Sequence, residues 1–203
     1  MDFRMNKLLK KMMVALLSLG LAQAVWADNV PDFKETLQAA EQGNAQAQFN
    51  LGLMYDQGRG VRQNHAQAVQ WYHKAAEQGD AEAQLNLGNM YANGRGVRQD
   101  YAQAVQWFRK AAEQGVAAAQ YNLGVAYDNG QGVRQDYTQA VQWFRKAAEQ
   151  GIAQAQFNLG VRYYNGQGVR QNYKIAKEWS GKACDNGSQQ GCDTYRELNQ
   201  AGY

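Results

Sequence analysis

The chain has few of the residues that interrupt helices or perform catalysis. Its 203 residues include one proline, Pro31, together with two cysteines and two histidines. Because no proline follows position 31, no later segment contains a strong helix breaker. After residue 27, serine occurs only as Ser180 and Ser188, and neither begins the S-x-x-K motif of serine β-lactamases. The G-x-S-x-G motif is absent too, so the sequence offers no candidate catalytic residues.

The chain also lacks an excess of charge of either sign beyond its first 27 residues. The formal net charge is +3, but four of the 21 basic residues and one of the 18 acidic residues precede Asp28. The remainder therefore carries 17 residues of each sign. A neutral chain has no general electrostatic attraction for nucleic acid or an anionic membrane. We expect neither as a partner.

The first 27 residues have the order of a secretion signal peptide. A basic region ending at Lys11 precedes an apolar run over residues 12–22. Val25 and Ala27 then place small residues at the two positions that signal peptidase reads. The apolar run is short for a transmembrane helix. We expect a signal peptide over residues 1–27, cleavage after Ala27, and a secreted or periplasmic protein without membrane insertion. An uncleaved N-terminal anchor is the alternative.

What the chain has in abundance is repetition with a period of 36 residues. Glycine, tryptophan and leucine return at that step, as Gly43, Gly79, Gly115, Gly151 and Gly187, as Trp71, Trp107, Trp143 and Trp179, and as Leu51, Leu87, Leu123 and Leu159. Four copies without insertion predict a solenoid in which neighbouring units bury one another's apolar faces. We divide the chain into a half-unit at 28–43, full units at 44–79, 80–115, 116–151 and 152–187, and a capping half-unit at 188–203.

Each full unit is predicted to contain two helices. The first carries Leu51 and Tyr55 four residues apart on one face. Gly52 recurs in every unit although glycine inside a helix costs about 1 kcal/mol relative to alanine, so we predict a tight contact there. The glycines at 58 and 60 are expected to end this helix with positive φ.

The second helix begins with the pattern of a capping box, in which a cap residue is followed three positions later by glutamine. The first unit has Asn64 and Gln67, and the next two units repeat the pattern with aspartate. The fourth unit departs from it, because Ile175 follows Asn172.

The repeated segments resemble the Sel-one-like repeat, a relative of the tetratricopeptide repeat. The shared motifs are A-x-A-Q-x-N-L-G-x-x-Y, N-G-x-G-V-R-Q-D-Y and A-V-Q-W-F-R-K-A-A-E-Q-G, which residues 81–115 carry almost in full. The resemblance implies an all-α protein, a right-handed α/α superhelical solenoid of tetratricopeptide-like helix pairs. It also implies a scaffold role and no catalytic residues. We expect a monomer that binds a protein or peptide and uses no metal or cofactor.

The resemblance places candidate binding residues on the first helices, which line the concave groove of tetratricopeptide relatives. One set is an asparagine ladder, Asn50, Asn86, Asn122 and Asn158. Asparagine is a poor helix former, so its return indicates either a ligand contact or a hydrogen bond to the adjacent helix. A second set varies between units and is expected to face the groove, namely Leu53, Asn89, Val125 and Val161, followed one turn later by Asp56, Ala92, Asp128 and Tyr164.

The two cysteines, Cys184 and Cys192, are expected to form a disulfide if the protein is exported. Two free buried thiols are the alternative, whereas a zinc or redox motif needs closer spacing. In the repeat the two residues replace the second alanine of A-A-E-Q-G and the glutamine of A-x-A-Q. The resemblance to cysteine-rich secreted members implies that this pair joins one unit's second helix to the next unit's first.

Two other groups of residues have competing interpretations. His65 and His73 occupy repeat positions held elsewhere by tyrosine and arginine, so no metal site is predicted. An arginine ladder lies on the loops between helices, as Arg62, Arg98, Arg134 and Arg170. It forms either a basic stripe for acidic partners or a set of contacts to helix-end carbonyls and nearby acids. The neutral charge favours the second interpretation.

Together these features predict an exported, non-catalytic scaffold that binds a protein or peptide, in the manner of exported bacterial relatives that contact host cells. One alternative is an envelope enzyme of the β-lactam or cell-wall hydrolase type, an activity linked to some cysteine-rich relatives. It would need a nucleophile and a base from different units. Another is an adaptor for assembly of membrane complexes, which retention of the leader as an anchor would favour.

Overall fold

The computed structural model describes residues 32–203, which contain ten α-helices and no strand. They are α1 (Phe33–Glu41), α2 (Ala45–Gln57), α3 (His65–Glu77), α4 (Ala81–Asn93), α5 (Tyr101–Glu113), α6 (Ala117–Asn129), α7 (Tyr137–Glu149), α8 (Ala153–Asn165), α9 (Tyr173–Asp185) and α10 (Gln189–Gln200). Each helix packs chiefly against its neighbours in sequence. The described chain is therefore an all-α repeat solenoid of four full helix pairs. The predicted signal peptide and its cleavage site lie outside the described residues.

The glycines of the inter-helix loops end the first helices as predicted. Gly58 takes a left-handed φ of 70°, and its N–H donates to the Met54 carbonyl. The second loop glycine serves a closer contact between units. Gly96 has a φ of 68° and lies so near the backbone carbonyl of His65 that a Cβ would overlap it. A glycine is needed there both for the backbone conformation and for the approach of successive units.

The second helices are capped, but not by a full capping box. The Asp100 carboxylate accepts from the Gln103 N–H at 3.0 Å, and Asn172 caps Ile175 at the same distance. The expected return bond from a glutamine side chain is not formed. The Asp100 N–H instead donates to the Tyr91 carbonyl at 3.0 Å, because the loop folds back onto the first helix. A glutamine at the third position is therefore unnecessary, and the fourth unit is capped without one.

The glycine inside each first helix marks the predicted tight contact. A Cβ on Gly88 would lie 2.6 Å from Cδ1 of Phe108, and one on Gly124 would lie 2.6 Å from Cδ1 of Phe144. In the first three units a ring of the second helix therefore packs directly on the backbone of the first, which an alanine would obstruct. In the fourth unit Ser180 takes the place of the ring.

A row of buried glutamines, which the sequence analysis missed, connects successive units. Its members are Gln48, Gln84, Gln120 and Gln156. In the third unit, the Gln120 amide donates to the Ala112 carbonyl at 3.1 Å and accepts from the Gln150 amide at 2.8 Å. Gln150 also donates to the Gly115 carbonyl at 3.0 Å. These bonds tie each first helix to the second helices on both sides and thereby set the register of the stack.

At the last junction a disulfide takes the place of the buried glutamine. Cys184 and Cys192 occupy the repeat positions of Ala148 and Gln156. In the preceding unit the Gln156 amide donates to the Ala148 carbonyl at 2.9 Å. In the last unit the two cysteines are bonded, with their Cα atoms 4.5 Å apart. The predicted disulfide is confirmed, and it joins α9 to α10.

Candidate functional site

The asparagine ladder is half-buried and has no single role. The Asn122 amide donates to the Asn89 side-chain oxygen at 3.1 Å, which connects the neighbouring first helices α6 and α4. Asn50 instead accepts from Gln46 within its own helix at 3.2 Å, and the fourth unit repeats that bond. The expected bond between adjacent helices is thus present at one junction.

Two ladder members also lie beside tyrosine side chains, of which Tyr72 is buried and Tyr121 is half-buried. Burial raises the pKa of Tyr72, and the Asn86 side chain opposes that shift. Burial likewise raises the pKa of Tyr121, and Asn158 opposes it. These asparagines face side chains of their neighbours, so each is positioned by local packing.

The variable positions separate into packing and cavity-lining residues. Leu53 packs against the core cluster that includes Leu87. Asn89 and Val125 line a cavity between the second and third units, and Val161 lines another at the end of the array. We refer to the surface formed by Asn89, Asn122, Val125 and their repeat equivalents as the first-helix groove.

The cavity between the second and third units, called here the junction cavity, measures about 320 Å³. It lies between α4 and α6, and the first half of α5 forms its floor. Side-chain amides surround it, including those of Asn89, Asn122 and Gln131, while Val105 and Phe108 supply apolar surface. No charged side chain lines it. The cavity therefore combines an apolar floor with uncharged donors and acceptors.

The absence of a large side chain at one repeat position opens the junction cavity. Ala126 stands where other units have Met54, Met90 and Arg162. Both methionines are almost fully buried, so they fill the equivalent space in the first two units. Comparison of the four copies at this position is the sequence signal that could have located the cavity.

The equivalent space between the first and second units is closed by an ion-paired group. Asp56 contacts His65 Nδ1 and the Arg95 guanidinium, each at 3.0 Å. In the second unit the counterpart of Asp56 is Ala92, and in the third unit the counterpart of Arg95 is Gln131. The junction cavity therefore lacks both members of this pair.

The equivalent space between the third and fourth units is closed by a different ion pair. The Arg162 guanidinium lies 3.3 Å from the Asp128 carboxylate, and both side chains are mostly buried. Burial raises the pKa of Asp128, and Arg162 opposes that shift. Arg162 also covers the ring of Tyr137, with its guanidinium carbon 5.2 Å from the ring centroid.

The serines do not form a catalytic arrangement. Ser180 is fully buried, and the Ser188 hydroxyl caps α10 by accepting from the Gly191 N–H at 3.2 Å. Of the histidines, His65 contacts a carboxylate in the first helix, and His73 lies 3.4 Å from Glu77 on its own helix. Within residues 32–203 no group of three or more histidine, cysteine or acidic side chains is placed to hold a metal ion.

The arginine ladder is exposed, and the favoured interpretation of it was wrong. Within the described residues Arg62 and its three repeat equivalents make no side-chain hydrogen bond or ion pair. The helix-end carbonyls already have other donors. The Tyr55 carbonyl accepts from the Asn64 N–H at 2.9 Å, and the Asp56 carbonyl accepts from the Gln63 amide at 2.7 Å. The loop arginines therefore extend into solvent.

The helices of the described region are too short or too polar to cross a lipid bilayer. This finding concerns residues 32–203, whereas the apolar run of the predicted signal peptide precedes them.

Comparison with known proteins agrees with the repeat frame. The family model for the Sel1 repeat matches residues 45–80, 81–116, 117–152 and 153–188. Each matched segment begins one residue after a unit defined above. No curated protein is significantly similar to the chain.

Three of the solved structures that are similar to it share substantial sequence identity with this chain. The protective antigen c5321 of uropathogenic Escherichia coli, which has an SLR fold, is 45% identical over 82% of this chain and 36% of that one, with a TM-score of 0.80. A Sel1 repeat protein from Oxalobacter formigenes is 38% identical over 84% and 68% of the two chains, with a TM-score of 0.73. Helicobacter pylori cysteine rich protein B is 31% identical over 62% and 90%, with a TM-score of 0.50.

The present chain spans 36% of the length of the E. coli antigen, so the likeness concerns the repeat array. Family members are generally scaffolds for protein interaction. Four consecutive family matches, together with the helix-pair solenoid, show that this chain belongs to the Sel1-repeat family.

Proposed function

We propose that this chain is an exported, non-catalytic scaffold that binds a protein or peptide along the first-helix groove. The observation that carries the proposal is the junction cavity. Of the three junctions between full units, it is the one where small, uncharged residues replace the groups that close the other two.

The chemistry of the cavity suits a polypeptide. A peptide backbone presents one donor and one acceptor at most residues, and a side-chain amide offers both. Asn89, Asn122 and Gln131 place such amides around an apolar floor. The lining contains no nucleophile paired with a base, which supports binding without turnover.

The proposed location is the periplasm or the cell exterior. The Cys184–Cys192 disulfide supports an oxidising compartment, where such bonds persist. The similarity to a protective antigen of uropathogenic E. coli supports a role in contact with host cells. We propose a monomer, in agreement with a groove that remains open for an external partner.

The test is selection of a phage-displayed random peptide library on the purified chain, followed by measurement of the retained peptides on two variants. Ala126→Met fills the cavity with the residue that two other units carry natively, so we expect it to fold. Retained peptides should bind it at least about tenfold more weakly. Glu113→Gln, an exposed change on the second helix of the preceding unit, is the matched control and should bind normally.

Two outcomes would contradict this function. Retained peptides that bind Ala126→Met as tightly as the unaltered chain would place the binding surface elsewhere, with the exposed arginine loops as the next candidate. Hydrolysis of a β-lactam or of peptidoglycan at enzymatic rates would favour the hydrolase alternative.

Export has its own test. N-terminal sequencing of the exported protein should begin at Asp28. An intact Met1 on membrane-bound protein would instead support the anchored adaptor.

A further inference from the structure

We infer that the junction cavity is a subsite for a neutral aromatic side chain of a partner peptide, which stacks on the ring of Tyr101. This inference rests on the proposed function and specifies the chemistry of the segment that binds there. It is carried by a comparison of the four residues that begin the second helices.

Elsewhere in the array, the residue at this position has a partner within the chain. In the first unit His65 contacts the Asp56 carboxylate at 3.0 Å. In the third unit Tyr137 lies under Arg162, with the guanidinium carbon 5.2 Å from the ring centroid. Each partner comes from a first helix that borders the equivalent space.

In the fourth unit the partner is aromatic. The rings of Tyr173 and Tyr203 have centroids 4.4 Å apart and an interplanar angle of 37°. The Tyr203 N–H donates to the Leu198 carbonyl, and the Lys177 ammonium donates to the Tyr203 backbone oxygen. Tyr203 therefore lies across the space beside Tyr173.

That space is the repeat equivalent of the junction cavity. Its lining residues Val161, Tyr164, Tyr173, Thr194 and Leu198 correspond to Asn89, Ala92, Tyr101, Asn122 and Ala126 of the junction cavity, 72 residues earlier. Tyr203 corresponds in the same way to Gln131. The array thus already contains one such space in which an aromatic ring packs at a tilt against its tyrosine.

Within the described residues, Tyr101 lacks a comparable partner on its ring. Its side chain is 38% exposed, and its hydroxyl accepts from the Gln99 amide at 3.1 Å. Among residues 32–203 no aromatic ring or cation is stacked on it. The ring borders the junction cavity, so it presents an apolar face to whatever enters.

The charge of the cavity favours a neutral ring over a guanidinium. Arg162 covers Tyr137 with Asp128 as its counter-charge, 3.3 Å away. In the junction cavity Ala92 replaces that aspartate, and no acidic side chain lines the space. A buried guanidinium would therefore lack a carboxylate, which is unfavourable.

The lining also favours an aromatic residue inside a peptide over one at the carboxyl end of a peptide. No cationic side chain lines the junction cavity, so a terminal carboxylate would have no counter-charge there. Asn122 donates to the Asn89 side-chain oxygen, which leaves the Asn89 amide N–H groups and the Asn122 amide oxygen for the backbone groups of a peptide.

The experiment uses capped tripeptides, acetyl-Ala-X-Ala-amide with tyrosine, leucine or arginine as X. Binding to the purified chain is followed by NMR through the side-chain amide signals of Asn89 and Asn122. The tyrosine peptide should shift both signals and bind about three- to tenfold more tightly than the leucine peptide. Tyr101→Leu should abolish that preference, whereas Tyr195→Leu, a change of an exposed tyrosine on α10, should preserve it. Ala126→Met should abolish the shifts.

Several results would overturn the inference. They are tighter binding of the arginine peptide, an unchanged tyrosine preference in Tyr101→Leu, and unchanged shifts in Ala126→Met. A concentration-dependent dimer that Ala126→Met dissociates would show that the occupant is a second copy of the chain.

The outcome also separates this inference from the proposed function. If library peptides require Ala126 but carry no aromatic residue, the aromatic subsite is wrong and the groove scaffold stands. If no peptide requires Ala126, both are wrong.

Discussion

The buried glutamine row should contribute measurable stability, and Gln120→Met is the perturbation that isolates it. Gln120 is 5% exposed, donates to the Ala112 carbonyl and accepts from the Gln150 amide. Methionine has a similar length and shape, so the substitution removes two hydrogen bonds with little change in packing.

The magnitude follows from what each former partner retains. Gln150 still donates to the Gly115 carbonyl at 3.0 Å, and the Ala112 carbonyl still accepts from the Gly115 N–H at 3.1 Å. Neither group is left without a partner, so the loss is the net value of two bonds, about 2 kcal/mol in the free energy of unfolding. For a chain of this length, that corresponds to a fall in Tm of about 4 to 8 °C.

Thermal and urea unfolding monitored by circular dichroism measure both quantities. Gln106→Met is the matched control, because Gln106 is exposed and makes no side-chain hydrogen bond within the described residues. Its Tm should stay within about 1 °C of the unaltered chain. An equally small shift for Gln120→Met would refute the reasoning and show that packing alone sets the register.

Three further predictions concern other features of the array. Replacement of the disulfide by Cys184→Ala with Cys192→Gln rebuilds the glutamine contact of the other junctions. Its Tm should exceed that of the variant with alanine at both positions, which loses a disulfide worth roughly 2.5 kcal/mol in the chain-entropy model. Equal Tm values would contradict the equivalence of the disulfide and the glutamine contact. Gly124→Ala should lower the free energy of unfolding, measured by urea titration, by about 1 to 3 kcal/mol, because its Cβ would lie 2.6 Å from a buried ring. Gly160→Ala should lower it less, because the nearest atom to its Cβ would be 3.0 Å away. Burial raises the pKa of Asp128 above its ordinary 3.8, so the folded chain binds this proton more tightly than the unfolded chain does. The contribution of Asp128 to stability therefore falls as pH rises through the range just above 3.8. Asp128→Asn should remove that dependence of Tm on pH, and an unchanged dependence would contradict the prediction.

The sequence predicted the helix pairs because the relevant signals are local. Leu51 and Tyr55 lie four residues apart on one helix face, and the loop glycines are suited to the positive φ with which the first helix ends. The contact at Gly88 could be inferred without knowing its partner, since a glycine that recurs inside a helix needs a reason. The capping box was only half right, because the partner of the Asp100 N–H is a backbone carbonyl that the loop brings back.

The interpretations of single repeated positions were less reliable. The glutamine row was overlooked although Gln120 and its equivalents recur as regularly as the asparagines. The sequence alone does not distinguish the roles of the repeated glutamines and asparagines, which differ in how deeply they are buried. Gln120 is buried between units and bonds to the Ala112 carbonyl and the Gln150 side chain, whereas Asn122 lies in the groove and is half-buried.

By itself, the sequence determined that this chain repeats, that its repeats are helical and that its cysteines belong to one junction. Each of these follows from residue type and spacing along the chain. Only the tertiary structure decided where the array is open. Ala92, Ala126 and Gln131 come from two units, and each is unremarkable alone. Stacking places them around one space, because the groups that they replace would have met there and closed it.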